Sequence, residues 1–391
     1  MISFQSKFPD TPTSIFTEMS QLAIQHKAIN LGQGFADYPM DPLLIKGVTK
    51  AMEEGYNQYA PSSGYMILRE RLSEKTLKEH GQFFDPETEI TITPGATIAL
   101  FTVIATFIRP GEEVLYFDPA YDSYRPSVTA VGGIPVSVPL NFPDFSLDMQ
   151  RLQSKISSKT RMIILNTPHN PTGSTVTREQ LLALYELIKD TDIILMCDEV
   201  YEHVIFDHQQ HHSPLGQPLL RDRTVSVHSF GKMFNCTGWK TGYIIADKAL
   251  TTEIRKVHQN NAFSTFSAVQ IAIANYMEDP DTYERLSGFL QNKRNLLEDA
   301  LKDSPLKPLP VKGSYFQLYS YAGFSHLPEK DFAVWLNKEA GVTSIPLSAL
   351  TENFGDHQLI RFCFAKKDET LLKAGARLRE LGRSIAPPPA H

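Results

Sequence analysis

RMIILNTPHNPTG at residues 161–173, REQLLALYELIKD at 178–190 and DIILMCDEVY at 192–201 follow one another along the chain. RMIIL and DIILMC are short apolar runs of the kind that form buried strands, and the segment between them has a helical pattern. EITIT (89–93), EVLYF (113–117) and TVSVHS (224–229) repeat the strand signal. Regular alternation of strand and helix requires right-handed crossovers and a mainly parallel sheet. The class is therefore α/β, with helices on both faces of the sheet in a three-layer α/β/α arrangement.

The pattern changes after about position 280. DPDTYERLSGFLQNKRNLLEDALKD (279–303) predicts one long helix opened by an Asp-Pro signal. SYFQLYSY (314–321), a helix over EKDFAVWLNKEAG (329–341) and the strand LIRFCFA (359–365) complete a smaller α+β unit. A chain of 391 residues exceeds the roughly 250–300 at which one core stops growing. The expected division is an N-terminal segment of a small domain (1–45), a large domain (46–282) and the C-terminal part of the small domain (283–391). No internal repeat is visible, and the Pro-rich end SIAPPPAH is expected to be disordered.

Composition narrows the function classes. The net charge is −6, with Lys and Arg scattered, so neither nucleic acid nor an anionic membrane is favoured as a partner. No stretch approaches the roughly 20 apolar residues of a membrane span. The opening MISFQSKFPDTPTS lacks a charged region followed by an apolar run, so no secretory signal is expected. Three cysteines make no disulfide framework, and a reducing, cytoplasmic setting follows as the expectation.

Ligands of a parallel α/β sheet bind at the carboxyl ends of its strands. Lys232 follows TVSVHSFG, Asp198 and Tyr201 follow DIILMC, and Asn170 lies in the run after RMIIL. Gly95, Ala96 and Thr97 stand between EITITP and a helical pattern, where free backbone N–H groups can receive a phosphate. Singly, each has an ordinary reading: a surface lysine, a helix cap, a turn. Their joint occurrence at successive strand ends is what points to a site.

The order GAT, NPTG, DEVY, SFGK and a late arginine resembles the fold-type I aminotransferases of class I/II, over about positions 10 to 380. SIFTEMSQLA, INLGQGFADYP, NQYAPSSG, NTPHNPTG, DEVYEH, TGWKTGY, IRKVHQ and LIRFCFAKK resemble the bacterial methionine aminotransferases and the related kynurenine/glutamine transaminases within it. The resemblance implies a pyridoxal 5'-phosphate enzyme in which Lys232 carries the cofactor as a Schiff base and moves the proton. It implies Asp198 at the pyridine nitrogen, Tyr201 and Asn170 at the phenolic oxygen, and Tyr121 stacked on the ring. Gly95, Ala96, Thr97, Ser229 and Lys240 would hold the phosphate. Tyr59 would reach it from the partner subunit of a homodimer with shared active sites. Arg361, helped by Asn170 and the backbone at Gly34, would grip the substrate α-carboxylate. Position 240 is usually Arg in this signature and here is Lys, which keeps the charge but loses the planar fork. Cys236 is also atypical there.

Transamination of an amino acid with a 2-oxo acid is the expected activity; carbon–sulfur lysis on cysteine conjugates is the alternative within the same chemistry. A ligand-sensing regulator is disfavoured, because the resemblance begins near position 10 and leaves no room for an N-terminal DNA-binding domain. Phe16, Phe263 and Phe266 are the candidate walls of an apolar pocket, and no arginine stands among them. That favours methionine or an aromatic donor over a dicarboxylate. HQQHH (208–212) fits no zinc spacing and is read as a polar loop. GQGFAD (32–37) lacks the third glycine of a dinucleotide fingerprint, and Cys197 is read as core.

Overall fold

The computed structural model describes residues 2, 6–9 and 13–387. The end of the Pro-rich tail, 388–391, lies outside the described residues. Strand β1 (Ile29–Asn30) precedes a seven-stranded sheet. That sheet is built from β2 (Ile90–Thr93), β3 (Glu113–Asp118), β4 (Ile134–Pro139), β5 (Thr160–Asn166), β6 (Ile194–Asp198), β7 (Thr224–Ser229) and β8 (Gly242–Ala246). Its order is β2-β8-β7-β6-β5-β3-β4. The pairings from β4 through β7 are parallel, and β8 runs antiparallel to both of its neighbours.

Strict alternation of side chains decides which helix covers which face. Met162 and Ile164 of β5, Ile194 and Met196 of β6, and Val225 and Val227 of β7 pack with Leu100, Val103 and Ile104 of the helix Ala96–Phe107. Ile163, Leu165, Leu195 and Cys197 point the other way, onto Leu181, Leu184 and Ile188 of the helix Arg178–Ile188. Both faces are covered, as parallel strands require. A Thr177–Gln180 capping box starts the second of these helices.

A second sheet has β9 (Lys307–Pro308), β10 (Phe316–Ser320), β12 (Ile345–Pro346) and β13 (Leu359–Cys363) in the antiparallel order β12-β13-β10-β9. Strand β11 (Val342–Thr343) pairs in parallel with β1, so the N-terminal segment returns to the C-terminal unit. Three features differ from the sequence expectation. Strands β4 and β8 lie outside the expected set of the large sheet; β4 is an edge strand containing Pro135 and Pro139, which only an edge tolerates. The helix expected over 279–303 is two, Asp281–Glu284 and Leu286–Leu301. Arg285, at ψ −14°, tightens the backbone between them. No described helix is long and apolar enough to cross a membrane.

Leu184 is fully buried between helix and sheet, whereas Leu372 is 49% exposed. Leu184→Ala should cost about 2–5 kcal/mol, and Leu372→Ala less than about 0.5 kcal/mol. Urea-unfolding midpoints of the two variants check the assignment; equal shifts would contradict it.

Candidate active site

The carboxyl ends of β5, β6 and β7 open into a cavity of about 380 Å³, a volume suited to a cofactor or small substrate. Asp198 ends β6 and is 4% exposed. Its Oδ2 accepts a hydrogen bond from the Tyr124 hydroxyl at 2.6 Å and its Oδ1 accepts from the Val200 N–H at 3.3 Å. Burial pushes its carboxyl up, and these two donors pull it back. Asn166, at the end of β5, donates to the Asp198 carbonyl at 2.8 Å and accepts from the Asn170 N–H at 2.7 Å.

Lys232 lies in a single helical turn, Phe230–Met233, after β7. Its Nζ donates to the Gly34 carbonyl at 2.8 Å and sits 5.6 Å from the Tyr201 ring. The Tyr315 hydroxyl donates to the Lys232 carbonyl. Burial lowers the ammonium to about 8, and the positive charges of Arg361 and Lys240 act in the same direction. Tyr201 is buried against the Tyr315 and Phe316 rings, and burial raises its hydroxyl.

The same lining presents an anion cradle. Gly95 has φ +79°, a left-handed backbone that glycine adopts freely. It offers no side-chain cap to the helix Ala96–Phe107, so the first N–H groups of Ala96 and Thr97 remain available where the helix dipole is positive. Lys240 and Ser229 border the same space, together with Thr237 and Thr241. An uncapped helix start, an ammonium and hydroxyls are the donor set that a phosphate ester requires. With Lys232 and Asp198 in the same lining, these residues fit pyridoxal 5'-phosphate.

Arg361 reaches the cavity from β13 of the small sheet and is 1% exposed. Its Nη1 donates to Asn170 Oδ1 at 2.7 Å and its Nη2 to the Gly32 carbonyl at 3.1 Å. The guanidinium lies 3.8 Å over the Phe316 ring and 5.3 Å from that of Phe16. Its Nε has no hydrogen-bond partner among the described residues. Burial lowers it to about 10. At Gly34 a Cβ would stand 2.6 Å from the Phe316 ring, so only glycine lets the backbone approach this closely.

Of the residues singled out in the sequence, Phe16, Gly34, Gly95, Ala96, Thr97, Tyr121, Asn170, Asp198, Tyr201, Ser229, Lys232, Lys240 and Arg361 line the one cavity. Tyr59, Phe263 and Phe266 do not. They are 82%, 45% and 49% exposed, and the Tyr59 and Phe263 rings meet edge to face at 5.3 Å. Expected to wall the pocket, Phe263 and Phe266 lie outside this chain's cavity, half exposed on the connection between the helices Lys248–Asn261 and Ser267–Tyr276. Sequence reasoning misses Asn166, Tyr124, Phe316, Gln33 and Asp122. Tyr124 is the second tyrosine of DPAYDSY, three residues from Tyr121, and the rings of the two meet edge to face at 5.6 Å.

Two clusters outside the cavity are accounted for by internal pairing. His211 of HQQHH bonds buried Glu199 at 2.8 Å. Glu79, Glu202 and His203 stand close enough to hold a metal ion, but Lys75 Nζ lies between the carboxylates at 2.8 and 2.9 Å. Cys197 is wholly buried in the core.

Comparison with known proteins agrees with this geometry. The chain is 44% identical to the methionine aminotransferase of Escherichia coli strain K12 over 378 residues, 96% of this chain and 98% of that one. It is 33% identical to the kynurenine–oxoglutarate transaminase 3 of Rattus norvegicus, covering 92% and 86%. A solved Escherichia coli structure identified as a methionine aminotransferase superposes with a TM-score of 0.95, covering 97% of this chain and 100% of that one at 44% identity. With residues 26–378 matching the model of aminotransferase class I and II, the chain belongs to that family of pyridoxal 5'-phosphate enzymes.

Proposed function

We propose that the cavity is the amino-acid site of a transaminase that moves an amino group between an apolar or aromatic L-amino acid, methionine foremost, and a 2-oxo acid. The observation that carries this reading is the Arg361 guanidinium, buried with an unbonded Nε and held by neutral groups. A substrate α-carboxylate supplies the missing anion, in the forked geometry a guanidinium favours. The other two cations of the cavity, Lys232 and Lys240, serve the cofactor. The wall that remains for a side chain includes Phe16, Phe35, Val200 and Phe316, with Asp122 at the rim. A distal carboxylate placed there would lose its water without gaining a partner, and would meet the charge of Asp122. A thioether or an aromatic ring would not. The methionine and kynurenine transaminases among the relatives support the same donors.

Bound in the cavity, pyridoxal 5'-phosphate supplies an electron sink for the pair left behind when the amino acid's α-proton departs. Asp198 would hold the ring nitrogen in this reading, with Tyr124 and the Val200 N–H stabilising its charge. Tyr201 and Asn170 would hold the cofactor's phenolic oxygen, and Tyr121 would cover its ring. Lys232 Nζ accepts the proton from the substrate α-carbon as a neutral amine and passes it on. A base whose pKa lies near 8 is well matched to that task. Arg361 and Gly34 orient the substrate so that its α-hydrogen points at Nζ.

The working unit in this reading is a homodimer. The exposure of Tyr59, Phe263 and Phe266 supports it, since these rings would find cover at the partner's cavity. In this reading the described residues of the two chain ends, within 13–45 and 283–387, form the smaller domain that brings Arg361 to the large one. Three free, buried cysteines suit a reducing cytoplasm.

Steady-state kinetics should give methionine and phenylalanine a kcat/KM at least about a hundredfold above aspartate, a gap of about 2.7 kcal/mol. Parity with aspartate would remove the apolar-pocket reading and leave transamination standing. Lys232→Ala should abolish turnover with every donor, and retained turnover would remove Lys232 from the mechanism.

Cofactor uptake by the cofactor-free protein reports the Lys232 amine directly. The neutral fraction rises about tenfold per pH unit below 8 and saturates above it. The uptake rate, followed by visible absorbance, should therefore climb from pH 6 to 8 and be flat by 9. A rate still climbing beyond pH 9 would mean an ordinary surface lysine.

Mixing Lys232→Ala and Tyr59→Ala chains tests the shared site. Random reassortment places one intact site in each heterodimer and should restore about a quarter of wild-type activity. No gain over the unmixed variants would place Tyr59 outside the partner's site.

A further inference from the structure

Residues 33–35 line the cavity, and successive polar groups of the segment 32–37 are held by different parts of the chain. Asn30 Oδ1 accepts the N–H groups of Gly32 and Gln33 at 2.9 and 3.2 Å. The Gln33 side chain donates to the Phe16 carbonyl at 2.9 Å. The carbonyls of Gly32 and Gly34 accept from Arg361 and Lys232, as described above. The next carbonyl, that of Phe35, accepts from Lys366 Nζ at 2.7 Å. Asp37 then accepts from the Lys367 N–H at 2.5 Å and from the Thr370 hydroxyl at 2.6 Å.

Lys366 is the unusual member of this set. The residue is 2% exposed, and its ammonium makes no ion pair among the described residues. It holds one backbone carbonyl and lies 4.8 Å from the centre of the Phe35 ring. Desolvating an ammonium for a carbonyl and a cation–π contact is expensive, and a methionine would fill the same space more cheaply. What the lysine secures is the placement of Gln33, Gly34 and Phe35, all three of which line the cavity.

We propose that Lys366 is a positioning residue for the amino-acid substrate, fixing the segment 33–35 as a wall of the cavity through the carbonyl and ring of Phe35. The proposal rests on reading the cavity as the amino-acid site. It assigns a task to Lys366, the first lysine of the pair that closes LIRFCFAKK, which neither cofactor nor α-carboxylate chemistry uses.

The test compares Lys366→Met, Lys366→Arg and Asp37→Asn with the parent, both in loaded enzyme and in cofactor-free protein. Lys366→Met should raise KM for methionine about tenfold while kcat falls much less, because ground-state binding is what the wall provides. Lys366→Arg keeps a donor within reach and should recover most of the loss. In cofactor-free protein, amide exchange over residues 32–37 should quicken at least about tenfold in Lys366→Met. A lowered melting temperature with KM and exchange unchanged would make Lys366 merely structural and overturn the proposal. Should Lys366→Met fail to fold, Asp37→Asn loosens the same segment from its other end and must also raise KM; an unchanged KM there overturns the proposal too. Failure of the underlying transaminase reading looks different: Lys232→Ala would keep its turnover, while the exchange difference at 32–37 would persist.

Discussion

A guanidinium withdrawn from water and offered no carboxylate has to be steadied by neutral groups. Arg361 collects them from three separate regions: Asn170 beyond β5, the Gly32 carbonyl of the N-terminal segment, and the Phe316 ring on neighbouring β10. None of these alone offsets the desolvation of a cation. Together they oblige the large sheet, the small sheet and the N-terminal segment to meet around one side chain. The β1–β11 pairing, the close pass of Gly34 over Phe316 and the placement of Lys232 beneath Gly34 follow from that convergence.

The run DEVYEH shows how the chain separates charges that work from charges that hold. Asp198 turns into the cavity, where two hydrogen bonds steady it. Glu199 turns away and is satisfied by His211 and Ser213 at 2.8 and 3.0 Å, and by Ser226. Glu202 is taken up by Lys75 and Tyr243 at 2.9 and 2.8 Å. Buried ions with complete sets of partners are structural, and removing one partner is what makes them costly. Three cations left without a carboxylate, Arg361, Lys232 and Lys366, stand at the cavity or against the segment that lines it, whereas buried Arg69 is held elsewhere by the carbonyls of Gly64, Pro86 and Glu87.

Much of this is legible in the sequence because strand ends in a parallel sheet are where polar residues have reason to follow apolar runs. Lys232, Asp198 and Asn170 carry that signature, and the resemblance supplies Arg361 and Gly34. Asn166 is hidden because the last residue of a strand looks like the first of a turn. Phe316 is hidden because a ring under a guanidinium reads as core. Phe263 stands outside this chain's own cavity, and an apolar ring is left exposed where another surface is to cover it. The tightening at Arg285 and the proline-bearing edge strand β4 leave no local signal, since both depend on neighbours distant in sequence.

The alternation of side chains along β5, β6 and β7 bears on how the site can change over time. Asn166, Asp198 and Ser229 each stand two residues beyond a member of the face covered by the helix Ala96–Phe107, namely Ile164, Met196 and Val227. They therefore share its strand parity. The helix that covers this face is also the one whose uncapped start forms the anion cradle. In the proposed reading, which residues face the site is thus written in the odd or even count of residues from the core. Inserting or deleting a single residue within β6 would send Asp198 to the opposite face and bring Cys197 or Glu199 into its place. Substitution can tune such a site one side chain at a time, but length change inside these three strands cannot. A change in chain length that leaves this parity intact has to fall in the loops beyond the strand ends.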